Sequence, residues 1–274
     1  MTTYLCETCG AQQPESETPP KTCIICEDER QWLPKLGQRW VTREELKARH
    51  FNAFRKIAPG LMALSTQPKF AIGQRAFLAL TPHGNILWDC ISLLDDATYD
   101  IIESLGGLSA VAMSHPHFYS AMSSWGERFD CPVYVHEADK QWVQDPHPCL
   151  EFWSGNSHEI LPGATVHNFG GHFPGNSVLH LAEQKRVLAG DTVLVTFDRQ
   201  HVSFMWSYPN YVPLPEAEVR RLSARFDTLD FDAIHSAFWE RGDILTGAKA
   251  AIARSVERHI KGPETIYTPA QAAE

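Results

Sequence analysis

Two hydrophobic periods alternate along this chain. Residues 75–81 (RAFLALT) and 86–90 (ILWDC) are short apolar runs joined by PHGN, which reads as two strands around a turn. The segment 93–106 (LLDDATYDIIESLG) places Ile101, Ile102 and Leu105 on one helical face and stops at Gly106 and Gly107. AVAMS, 110–114, is then a short buried strand that ends where His115 begins. The alternation recurs with a helical segment at 118–129, a strand PVYVH at 132–136 and a helix EADKQWVQD at 137–145. Strands follow at 164–169 (ATVHNF), 177–182 (SVLHLA) and 186–191 (RVLAGD), with no long helix between them. Helices over 215–227 and 245–260 flank a last strand, FDAIHS, at 231–236. Mixed periods of this kind predict an α/β layered domain with its site along one edge of the sheets.

The pattern fails before residue 57. Residues 1–36 read as a small separate module, 37–56 as a connector, and 57–274 as the main domain. In the connector, Thr42 and Glu45 of TREELKAR make a capping box for a short helix.

Composition narrows the classes of function. A chain of 274 residues with 43% hydrophobic and 21% charged positions is globular, with ample material for a packed core. The formal net charge of -9, without any Lys/Arg-rich run, excludes nucleic acid and anionic membranes as expected partners. The N-terminal MTTYLCETCG is no basic-then-apolar leader, and no run of about 18 apolar residues occurs. A cytoplasmic protein acting on a small-molecule substrate is the expectation.

Four of the seven cysteines, Cys6, Cys9, Cys23 and Cys26, form two CxxC pairs separated by 13 residues. Each pair lets two thiolates approach one ion from a single turn, and two such knuckles complete a tetrahedral four-sulfur site. The surrounding PESETPP offers little apolar surface, so the module needs its ion to fold. Zinc is the expected occupant, and a rubredoxin-like iron centre has the same ligand set. Cys90, Cys131 and Cys149 share no motif and read as small core or surface residues.

The chemistry of the main domain lies in HPH at 115–117, GGHFPG at 170–175, AGD at 189–191 and IHS at 234–236. Imidazole nitrogen and carboxylate oxygen suit zinc and iron, and two His one residue apart can grip an ion from one side. This spaced set of imidazoles and one carboxylate reads as a metal site. After Asp191, the segment 193–210 is too aromatic and too interrupted for a simple helix. Phe197, Phe204, Met205, Trp206, Tyr208 and Tyr211 would wall a substrate pocket beside the metal. The same residues would serve equally as a loop packed on the core, or against a second copy of the chain in a homo-oligomer.

The order HxH, GGH followed by Pro-Gly, GD after a strand, and a late His resembles the metallo-β-lactamase superfamily, close in style to its glyoxalase II-like hydrolases. The resemblance spans roughly residues 57–262. It implies a four-layer αββα sandwich, here carrying a small N-terminal zinc-ribbon-like module, with metal at the edge where the sheets meet. It also implies that His115, His117 and His172 hold the first metal, that Asp191 bridges to a second and that His235 belongs to that second site. The family pattern HxHxDH would require Asp at 119 and His at 120, where this chain has Tyr119 and Ser120. One metal, zinc or alternatively iron, is therefore expected in the catalytic domain. Proton handling would fall to Tyr119 and His235, beside Asp191. The implied reaction is attack of a metal-activated water on an ester, thioester, lactone or related bond. Two other readings stay open. One is a mononuclear iron persulfide dioxygenase using His115, His172 and Asp191; the other is a non-catalytic, metal-stabilised binding module. Asp89 matches a buried Asp that the family places near the metal loop.

Overall fold

The computed structural model describes residues 1–262; the remainder of the predicted 57–274 domain, 263–274, lies outside them. Two sheets make its centre. The first has seven strands in chain order: Phe51–Ala58, Leu61–Gln67, Ala76–Thr81, Gly84–Trp88, Ala110–Ala112, Val133–His136 and Leu150–Trp153. Its first four strands are antiparallel hairpins and its last three are added in parallel. The second sheet has six strands: Ser157–Leu161, Ala164–Asn168, Ser177–Leu181, Arg186–Leu188, Ala233–His235 and Asp243–Ile244. Within it, Arg186–Leu188 and Ala233–His235 run parallel.

Strand alternation sorts the apolar side chains into layers. Leu61, Ala63, Phe77, Ala79, Ile86, Trp88 and Ala112 meet Ala164, Val166, Leu179, Leu181 and Leu188 of the facing sheet. Their neighbours Leu64, Leu78, Leu87, Val111 and Val133 point outward, against a helical layer that includes Ile102 and Trp125. Those helices are Asp96–Ser104 and Met122–Phe129. On the far side, Val178, Val187 and Ile234 pack on Val219, Leu222 and Phe226 of helix Glu216–Asp227, and on Ala251, Ile252 and Val256 of helix Ala248–Lys261. The result is a helix, sheet, sheet, helix sandwich. No helix among the described residues is long and apolar enough to cross a membrane.

The first sheet begins at Phe51 rather than at Ile57, so the connector is shorter than its predicted 37–56. The capping box of Thr42 and Glu45 forms and starts helix Arg43–Arg49. The segment predicted as a helix over 137–145 is a 3₁₀ helix, Glu137–Trp142, whose start is capped by the His136 ring accepting the Ala138 amide. The N-terminal module closes on itself. Tyr4–Cys6 pairs antiparallel with Trp40–Thr42, and the chain between them carries Cys9, Cys23 and Cys26.

Candidate metal centre

Among the described residues, two groups of side chains are arranged as metal ligands: Cys6, Cys9, Cys23 and Cys26, and His115, His117, His172 and Asp191. In each, one ligand atom per residue lies within 4.8 Å of the others.

The four thiols are buried with only Ala11 and Ile25 as further buried apolar neighbours. Cys6 Sγ lies 3.5 Å from Cys26 Sγ, and Cys9 Sγ lies 3.6 Å from Cys23 Sγ. No disulfide joins them. The amides of Cys9 and Gln38 donate to Cys6 Sγ at 3.5 and 3.1 Å, and Gln144 Nε2 donates to Cys23 Sγ at 3.5 Å. Contacts with Cys23, Cys26 and Cys9 hold the Cys6 thiol far below its ordinary range. Donors converging on sulfur favour thiolate, the form that binds metal.

The second group is assembled from strand ends. His115 follows the strand Ala110–Ala112, His117 lies in the 3₁₀ turn Pro116–Phe118, and Asp191 follows Arg186–Leu188. His172 is carried by the loop after Ala164–Asn168. Two backbone features bring these ends together. Gly190 adopts φ +52°, and a Cβ there would sit 2.6 Å from that of Ser114; only glycine allows Asp191 this close to His115. The Ser177 amide donates to the Ser114 carbonyl at 2.9 Å, tying the two sheets at the metal edge.

All four side chains are almost sealed, with exposures of 1% for His115, 3% for His117, 1% for His172 and 4% for Asp191. His172 Nε2 lies 3.1 Å from His117 Nδ1, and Asp191 Oδ2 lies 3.6 Å from His115 Nε2 and 3.9 Å from His172 Nε2. Ser114 Oγ meets His115 Nδ1 at 2.9 Å, and the Met205 carbonyl accepts from His172 Nδ1 at 3.3 Å. These partners leave the Nε2 atoms of His115 and His172 facing the group. Burial pushes the imidazoles down, that of His172 to about 4, and pushes Asp191 well above its ordinary range. Neutral imidazoles are what a metal requires. His115 Nε2, His117 Nε2 and Asp191 Oδ1 are buried without a hydrogen-bond partner. A cation among them would satisfy lone pairs and hold Asp191 ionised, so the donor set fits zinc or iron.

Asp89, at φ 57°, uses Oδ1 to accept the Ser114 amide at 2.8 Å and so braces the residue that orients His115. Its carboxyl is pushed up to about 7 by burial.

Tyr119 and His235 have other partners. The Tyr119 hydroxyl is directed to the Asp139 carbonyl at 3.5 Å, and its ring is buried in the core of the first helical layer. His235 lies outside the ligand group: its Nδ1 is 2.9 Å from Asp243 Oδ1 and its Nε2 is 3.4 Å from Arg186 Nη1. The strand leaving Ala233 turns that ring toward Phe77, 5.8 Å away between centroids. Ser120 serves the N-terminal module, its carbonyl accepting the Gln12 amide at 2.8 Å and its Oγ accepting from Gln74 at 2.7 Å.

The aromatic segment divides. Met205 holds His172 through its carbonyl, and Tyr208 lies 5.8 Å from the His172 ring with its hydroxyl near the Asp191 carbonyl at 3.4 Å. Trp206 lies under the guanidinium of Arg30. Phe197 is 68% exposed and is covered by Arg241, so it does not join them. The residues that motif reading missed are Arg30, Ser114 and Asp243, which belong to no spaced ligand pattern.

The layer order is that of the metallo-β-lactamase fold. The crystal structure of VMB-1 at pH 5.5 superposes with a TM-score of 0.55 at 15% identity, covering 74% of this chain and 97% of that one. The metallo-β-lactamase FIM-1 from Pseudomonas aeruginosa in its mono-zinc form gives 0.56 at 15% identity, covering 76% and 96%. The metallo-β-lactamase from Pontibacter korlensis gives 0.51 at 15% identity, covering 75% and 100%. No family model matches the sequence. The chain belongs to the family of the uncharacterized protein YmaE of Bacillus subtilis (strain 168), to which it is 42% identical over 267 residues, 95% of this chain and 97% of its relative.

Proposed function

We propose that this protein is a metal-dependent hydrolase of a small molecule, with one metal in the His115, His117, His172 and Asp191 group and the four-cysteine site as a structural zinc centre. The observation that carries the proposal is the sealed convergence of three neutral imidazoles and one carboxylate with unsatisfied ligand atoms. A divalent ion bound there would supply Lewis acidity, polarising a carbonyl and making water acidic enough to attack near neutral pH. The chain's own part is orientation. Ser114 and the Met205 carbonyl fix the ring positions of His115 and His172, and Asp89 fixes Ser114. The bond class is an ester, thioester, lactone or relative, the glyoxalase II-like end of the fold. Four reduced cysteines around an ion suit a reducing compartment, which supports a cytoplasmic setting.

The test joins metal quantification to a screen of lactones, thioesters, phosphodiesters and β-lactams. The expected result is turnover in one class, with His172→Ala losing both that activity and one metal equivalent. Equal turnover by His172→Ala, or no turnover in any class by the metal-loaded protein, would refute the proposal.

A further inference from the structure

The His/Asp group is covered by a residue of the four-cysteine module. Four positions after Cys26, the guanidinium of Arg30 lies 4.3 Å from the Phe173 ring centroid and 5.0 Å from that of Trp206. Phe173 follows the ligand His172, and its centroid is 5.7, 4.9 and 5.2 Å from those of His115, His117 and His172. One ring thus contacts this cation and lies within 6 Å of all three imidazoles. The segment around Arg30 is fixed to the opposite wall: Ser207 Oγ donates to the Arg30 carbonyl at 2.9 Å, and Asn210 Nδ2 donates to the carbonyls of Glu29 and Gln31 at 3.0 and 3.3 Å. That wall is the one whose Met205 carbonyl orients His172.

The donors of Arg30 are unequally used. Asp28 accepts from Nη1 with both carboxylate oxygens at 2.8 Å, whereas Nε is buried without a partner. The side chain keeps 17% of its surface accessible while its face is stacked on Phe173 and Trp206. A guanidinium is weakly hydrated enough to lie on aromatic rings and still present in-plane donors to an oxyanion. A buried donor without an acceptor is a cost that a ligand relieves.

We propose that Arg30, delivered by the four-cysteine module, is a specificity-determining residue of the His/Asp site that takes an oxyanion group of the substrate, carboxylate or phosphate, beside the scissile bond. This rests on the metal-dependent reading above. It makes the module a wall of the catalytic site, with Asp28 as the internal carboxylate that holds Arg30 until substrate competes for it.

The test uses full-length, metal-loaded protein titrated calorimetrically with inorganic phosphate and, separately, acetate. At least one probe should bind, and which one does distinguishes phosphate from carboxylate. Arg30→Gln should weaken that binding roughly ten- to a hundredfold, the scale of one lost charge-assisted hydrogen bond. Arg30→Lys should fall between, because it keeps the charge and loses the fork. Asp28→Asn should tighten binding by removing the competing carboxylate, whereas a residue that only pins the module would gain nothing from losing its clamp. Absence of binding by either probe, equal affinity in wild type and Arg30→Gln, or unchanged or weaker binding by Asp28→Asn would overturn the assignment. Metal content is measured on the same samples. Equal metal in wild type and Arg30→Gln with equal affinity defeats the Arg30 assignment alone, while equal metal in wild type and His172→Ala defeats the reading beneath it.

Discussion

Replacing Cys23 by Ser asks what holds the N-terminal module together. Cys23 Sγ lies 3.6 Å from Cys9 Sγ and accepts from Gln144 Nε2, so the change removes one ligand and weakens one tie to the main domain. The buried apolar side chains in that cluster besides the cysteines are Ala11 and Ile25. Their burial supplies about 3 kcal/mol. Ordering the loop costs about 1 kcal/mol per residue in backbone entropy alone, several times what those two side chains return over a segment of this length. A four-thiolate zinc contributes about 10–16 kcal/mol, far more than those two side chains. Cys23→Ser should therefore open the module while leaving the sandwich folded. Hydrogen exchange reads this directly. The amides of Gly10, bonded to the Cys6 carbonyl, and of Glu27, bonded to the Cys23 carbonyl, should lose protection. Those of Asp89, bonded to the Ala112 carbonyl, and of Val111, bonded to the Pro132 carbonyl, should keep it. Gly10 and Glu27 as slowly exchanging in the variant as in wild type would refute the argument that metal organises this segment.

Two further outcomes follow from the sandwich itself. Gly190→Ala combines a left-handed backbone at +52° with a Cβ placed 2.6 Å from that of Ser114; a loss of about 2–5 kcal/mol is expected in urea unfolding, together with weaker metal retention at Asp191, and a loss under about 0.5 kcal/mol would contradict the packing described. His167 is held down to about 4 by burial, so the folded state keeps it neutral. Its contribution to stability is present above the unfolded value of about 6.5 and is lost as pH falls from there toward 4. His167→Gln should gain in urea midpoint relative to wild type between pH 7 and pH 5, and a constant difference across that range would refute the assignment.

The strands that alternate cleanly were legible in the sequence. Phe77 and Ala79 face one side and Leu78 the other, as RAFLALT implies. Phe51–Ala58 was not, because as an edge strand it is partly exposed on both faces and its sequence FNAFRKIA carries no clean period. The 3₁₀ helix Glu137–Trp142 escaped because EADKQWVQD carries no period that separates the two helix types; its capping residue His136 also faces Asn168 and Gly155 from another part of the fold. The His/Asp cluster was legible because HPH places two of its residues, and GGH and AGD one each, at a strand end or loop. The directions of Tyr119 and His235 were not, since they depend on Asp139 and Asp243 rather than on their own motifs. Arg30 was invisible for the same reason: its partners Phe173 and Trp206 lie far along the chain.

The use of Ser120 as a handle for the N-terminal module carries a consequence for anyone wishing to refit this scaffold. Its carbonyl holds Gln12, and Gln12 in turn reaches Asp145 at 2.5 Å and shares Arg43 and Ser124. Gly10 is pressed against Ser92 so closely that its carbonyl accepts from that hydroxyl at 2.7 Å. Writing an Asp and a His into positions 119 and 120 would put a charged and a bulky side chain into this seam. Positions 119 and 120 thus belong to the docking of the cysteine module, and refitting them requires rebuilding both sides of the seam together.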